Sequence, residues 1–171
     1  LGQGGLVSAG DHLAEAKFGW WVPNETIKLC PTLPNWHGLN HCFRKFSREA
    51  DSDKGIYFTT QHPENHTGFI DQFHLRYKPK IVENTQQIHD EIERAYKRNK
   101  AIVAFNWGPG PHMSSLKGQF IEFPHQPTHL LSKVTHYQLP IKQPSAYRLI
   151  QQIQLTETDI VEMTTNMVEE N

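Results

Sequence analysis

What this sequence has little of narrows its chemistry first. Cysteine occurs twice, at Cys30 and Cys42. That is too few for a disulfide framework: the two either pair in an oxidising compartment or stay as small apolar thiols. Neither sign of charge is in excess. Lys plus Arg number 17 against 18 Asp plus Glu, for a net charge of −1, which leaves no electrostatic footprint for nucleic acid or another polyanion. No apolar run approaches the roughly 20 residues of a membrane helix. Residues 1–6 carry no basic n-region, and no long apolar stretch follows, so the chain is expected either to stay inside the cell or to have lost a leader. Catalytic signatures are missing too: there is no G-x-S-x-G elbow, phosphate-binding glycine loop, H-E-x-x-H or C-x-x-C. Ser114 and Ser115 near His112 lack an evident orienting acid, and His41 beside Cys42 is only a neighbour pair. No catalytic residue, and no cofactor, is expected.

Histidine is plentiful, with 11 copies. His62 and His66 are four apart, whereas His112, His125, His129 and His136 follow at irregular spacing. Metal sites need ligands that converge, often with thiolates or carboxylates. The spacing here gives no such set, and solvated or hydrogen-bonded histidines are the expectation.

Periodicity supplies the elements. Asn35 caps a short helix with Trp36, Leu39 and Phe43 on one face. Residues 55–60 form a β-branched and aromatic strand after Gly55. A helix is expected over 65–77 with Phe69, Ile70 and Phe73 inward, then a short strand over 79–82. The clearest helix spans 84–99, capped by Asn84 or Thr85, with Ile88, Ile92, Ala95 and Tyr96 recurring at three and four. Residues 101–105 are a continuous apolar run, typical of a buried parallel strand. This alternation of strand and helix predicts a parallel α/β lobe. Short strands follow over 120–124 and 133–139, then two helices. The first has Pro144 in its opening turn. The second is introduced by a Thr156–Asp159 capping pattern, with Met163 and Met167 expected as core fillers.

Aromatic residues stand out at two places. Trp20 and Trp21 are adjacent in an extended segment, so they point to opposite faces and at most one meets a ligand. Trp107 ends the buried strand and precedes the rigid turn 108–111, and ligands of open α/β sheets bind outside the carboxyl ends of strands. Tryptophan faces attract quaternary ammonium groups, which have no N–H for ordinary hydrogen bonds.

The segments 19–23 (Gly-Trp-Trp-Val-Pro), 91–113 (through Asn106-Trp107-Gly-Pro-Gly-Pro-His112-Met) and 120–124 (Phe-Ile-Glu-Phe-Pro), with the tail 144–147 and 155–160, resemble the substrate-binding proteins of glycine betaine, proline betaine and choline ABC transporters. The resemblance implies an α/β, periplasmic-binding-protein-like fold, its lobes built on mainly parallel sheets flanked by helices. The first lobe, 1–35 with 139–171, is incomplete beside the longer members of that family; the second is 36–138. Linkers at 31–34 and 139–140 are the implied hinge. It further implies non-catalytic binding of a betaine- or choline-like ligand for uptake, a permease partner, and a periplasmic or cell-surface location. Trp107 and one of Trp20 and Trp21 match the family's cage rings. His112 matches its polar residue after the turn, Asn106 lies near the ligand's polar end, and His62 stands where many members place an aromatic. The alternatives are a divergent lobe serving as an oligomerising interaction module, motivated by the missing part, and a histidine-based metal-binding protein.

Overall fold

The computed structural model of the chain describes residues 5–48, 52–61, 67–110, 116–124 and 129–169. It divides into two compact units. The first comprises Leu1–Lys17, Pro109–Ser114 and Pro127–Asn171; the second comprises Phe18–Gly108 and Ser115–Gln126. This partition differs from the 1–35 plus 139–171 against 36–138 expected from the sequence. The proline-rich stretch 31–34 belongs inside the second unit, because Leu33 is buried in its core and the disulfide Cys30–Cys42 closes the segment. Residues 139–140 open a helix instead of a linker.

Strand β1 (Leu6–Pro23) runs through both units. In the first unit it pairs antiparallel with β6 (His129–His136). The register shifts between Ser8 and Asp11, where Gly10 adopts φ 95°, a conformation that costs a residue with a Cβ dearly. Three helices follow: α5 (Leu139–Lys142), α6 (Pro144–Gln152) and α7 (Glu157–Glu169). The Lys133 side chain is buried and its ammonium donates to the carbonyls of Gln151 (3.0 Å) and Ile153 (2.8 Å), capping the end of α6 where the helix dipole favours a cation. The Tyr147 hydroxyl donates to the Ser8 carbonyl at 2.7 Å. Met163 and Met167 are exposed on α7, not core fillers.

The second unit is built on a sheet of order β3-β2-β4-β1-β5, from Tyr77–Ile81, Gly55–Thr59, Val103–Gly108, the end of β1, and Gly118–Phe120. β2 pairs parallel with both β3 and β4, whereas β1 and β5 are antiparallel, so the sheet is mixed. Alternation along the strands sends neighbours to opposite faces. Trp20, Tyr57 and Val103 join one core layer with Leu39 of α2 (His37–Cys42). Trp21, Ile56, Phe58 and Ala104 join the other with Ile88 and Ile92 of α4 (Thr85–Lys97). Helix α1 (Asn24–Leu29), which the sequence reading left unassigned, ties β1 to β4: Thr26 Oγ1 accepts the Ile102 N–H at 3.1 Å. The expected helix over 65–77 is, among the described residues, only α3 (Phe69–Gln72). His74 adopts φ 49° after it, and the Asn40 side chain binds both the His74 carbonyl and the Arg76 N–H, which fixes the turn into β3. Helix α4 has the predicted cap, with Asn84 Oδ1 accepting the Gln87 N–H at 3.0 Å.

Candidate functional site

Three strand ends meet on the carboxyl side of the second unit's sheet. Tyr57 and Phe58 of β2 lie opposite Val103 and Ala104 of β4, and Thr59 lies opposite Ile81 of β3. Carried forward, this register sets Thr60 beside Asn106 and Gln61 beside Trp107. The position is where parallel sheets bind ligands: successive carbonyls end there and side chains replace the ladder.

Trp107 is 45% exposed, the most exposed of the four tryptophans, although it ends a strand whose Val103 and Ala104 are fully buried. Its backbone N–H donates to Asn106 Oδ1 at 2.9 Å, so Asn106 fixes the peptide that carries the ring. Asn106 itself is 1% exposed, and its Nδ2 is buried without a hydrogen-bond partner among the described residues. An orphaned buried donor of this kind costs about 1–3 kcal/mol. Thr59 and Thr60 are buried at the neighbouring strand end.

Trp20 and Trp21 are placed differently from Trp107. They point to opposite faces, as adjacent strand residues must, and both are buried to 1% exposure or less. Trp20 stacks on Tyr57 with ring centroids 3.8 Å apart and meets Tyr77 and Phe123 edge-on. Trp21 lies so close to Gly118 that a Cβ there would fall 2.1 Å from its ring. Both rings are spent on packing within the unit, and neither presents a face. Burial pushes the Tyr57 and Tyr77 hydroxyls well above the usual tyrosine range, as expected of an apolar layer. His62 and His112 lie outside the described residues. Among the described residues no three His, Cys, Asp or Glu side chains converge in a way that would hold a metal ion.

The sequence reading missed Glu91 on the buried stripe of α4, which gathers Arg48, Lys80 and Arg94 around it. The signal was present as an acid one residue from Ile92 and three from Ile88, inside an apolar repeat.

A family model described as the substrate-binding domain of ABC-type glycine betaine transport systems matches residues 1–171. Among solved structures, a glycine betaine/L-proline-binding protein from Borrelia burgdorferi superposes with a TM-score of 0.65 at 15% identity, over 96% of this chain and 61% of that one. A choline-binding protein solved with choline gives 0.63 at 14%, over 96% and 58%. A lactococcal protein solved in a closed form with glycine betaine gives 0.61 at 13%, over 97% and 63%. The chain spans about three fifths of the length of these structures.

Proposed function

This chain belongs to the family of substrate-binding domains of ABC-type glycine betaine transport systems, and on that premise we propose that its second unit offers Trp107 to the cationic head of a small quaternary ammonium compound. The reading is carried by one observation: an exposed tryptophan at the carboxyl end of a buried strand, with its peptide fixed by a buried asparagine. An indole face attracts a methylated ammonium by about 0.5–2 kcal/mol, more as water is excluded. Trp20 and Trp21, both buried in packing, are left out of the ligand contact in this reading. His112 and His62 remain candidates for the ligand's polar end. No chemical step is required of any residue: the domain captures its ligand and hands it to a permease. The disulfide Cys30–Cys42 supports a location outside the reducing cytosol. No helix among the described residues is long and apolar enough to cross a membrane.

The test is a tryptophan-fluorescence titration of the purified chain with choline, glycine betaine and proline betaine. A saturable change for at least one of them is expected, weakened roughly tenfold in Trp107→Ala. Affinity that survives Trp107→Ala for every ligand would refute this placement.

A second reading, in which the first unit docks on another polypeptide, is favoured by its exposed apolar side chains, among them Leu130, Val134, Ile141 and Leu149. Light scattering that finds a concentration-independent monomer would exclude self-association as that contact.

A further inference from the structure

We propose that the second unit carries a two-histidine site for a divalent transition-metal ion of the copper and zinc class, formed by His37 and His41 on helix α2. The site lies apart from Trp107. Helix α2 is tied to the turn that leads into the amino end of β3, through the Asn40 side chain and through the Leu39 carbonyl, which accepts the Tyr77 hydroxyl at 3.2 Å. Strands β3 and β4 both run parallel to β2. The amino end of β3 and the carboxyl end of β4, where Trp107 stands, are therefore at opposite ends of the sheet.

The first observation is spacing together with tautomer. Residues four apart on a helix lie on one face, one turn above the other, and His37 and His41 are both exposed. His41 Nδ1 lies 3.0 Å from the His37 carbonyl oxygen. A carbonyl only accepts, so Nδ1 carries the proton and Nε2 of the neutral ring keeps its lone pair. Metal-ligating histidines are arranged in this way, with the other ring nitrogen donating to a carbonyl or carboxylate. The His37 ring stacks on Trp36 with centroids 3.7 Å apart, which restrains it without occupying its nitrogens.

The second observation is a shared hollow on a fixed base. His37, Asn40 and His41 together line an open concavity of about 260 Å³, so the two rings border one space. The helix beneath them is anchored on three sides. Leu39 is buried, Cys42 is bridged to Cys30, and the Asn40 side chain is spent on the His74 carbonyl (3.1 Å) and the Arg76 N–H (2.8 Å). Ligands on such a support are held in place before the ion arrives. The nearby cations are directed elsewhere: Arg44 and Arg76 lie over the Phe43 ring, and the Lys45 ammonium donates to the Leu29 carbonyl. Imidazole binds copper, nickel and zinc through its lone pair, and neutral histidines alone hold zinc in some catalytic sites. Two such ligands leave the other coordination positions to water. The site is thus an open chelate, distinct from the three-ligand centre that is absent among the described residues.

The experiment is a titration of the full chain with Cu²⁺ in a weakly coordinating buffer, followed by tryptophan fluorescence and by calorimetry. A paramagnetic ion on His37 quenches the indole stacked against that ring, which makes Trp36 a built-in reporter. Saturable quenching is expected, with affinity falling roughly tenfold in His37→Gln and in His41→Gln. Zn²⁺ is expected to compete more weakly, following the order of divalent-metal affinities. Mg²⁺, which seeks oxygen ligands, is expected not to compete. Trp36→Phe is expected to keep the heat of binding and lose the quenching. His136→Ala, in the first unit, is expected to change neither. The absence of saturable binding would overturn the site. So would binding that persists undiminished in the double variant His37→Gln, His41→Gln, which would put the ion on other histidines. Choline and betaine titrations of that double variant report on Trp107 alone, so the failure of one reading leaves the other standing.

Discussion

Four tryptophans of one chemistry take different duties because their surroundings differ. Trp20 is held between Tyr57, Tyr77 and Phe123, and its removal opens a cavity that these rings cannot close. Trp20→Ala is therefore expected to cost about 3–5 kcal/mol, enough to unfold much of the protein, as denaturant titration would report. Trp107→Ala removes a half-exposed ring and is expected to change stability by less than about 1 kcal/mol while it lowers ligand affinity. If both variants melt alike, the division between packing and presenting rings is mistaken. The sequence distinguished Trp107 by its place at a strand end. It did not reveal that Trp20 and Trp21 are both core residues. Alternation says that they face opposite ways, but a sheet covered on both sides buries either direction.

Elements were legible where the signal was local. Asn84 and the repeat of Ile88, Ile92 and Ala95 define α4 within a few residues of its expected ends. The start of α7 was equally plain: the Thr156 backbone N–H and hydroxyl both donate to Asp159 Oδ2 at 2.7 Å, and Thr156 Oγ1 accepts the Asp159 N–H in return. The Thr156 backbone N–H foremost, then its hydroxyl, holds the Asp159 carboxyl below the usual carboxylate range. A carboxyl depressed in the folded state stabilises above its unfolded pKa, near 3.9, and that contribution is lost as pH falls through the depressed value. The first turn of α7 is thus expected to fray on acidification below about pH 4. Nuclear magnetic resonance of the Thr156 and Asp159 amides would follow the change, and Asp159→Ala should show the frayed spectrum at neutral pH. Long-range structure was harder to read. β1 is an 18-residue strand interrupted by register shifts, and its pairing with β6 joins residues more than a hundred positions apart. Neither a period nor a turn marks it.

At the scale of the molecule, the family and the α/β class were legible, while the compact units of the chain follow contacts that no local signal marks. Prolines at 31 and 34 suggested a hinge, whereas Leu33 and the disulfide fasten that stretch into the second unit. The bridge joins Cys30 to Cys42, 12 residues apart. A loop of that size removes about 3 kcal/mol worth of freedom from the unfolded chain. Reduction is accordingly expected to lower the denaturation midpoint of the second unit, and a Cys30→Ser, Cys42→Ser double variant to match the reduced protein. An unchanged midpoint would mean that the bridge contributes nothing to stability. The near-parallel stack of Trp20 on Tyr57 carries one more consequence, an optical one. Two aromatic transitions held face to face in a chiral interior couple and give a near-ultraviolet dichroism band that vanishes when the layer loosens. The indole of Trp107, wet on one side, emits further to the red and answers to quenchers in the solvent. Melting of the interior and occupancy of the rim therefore write separate signatures on the same unlabelled sample.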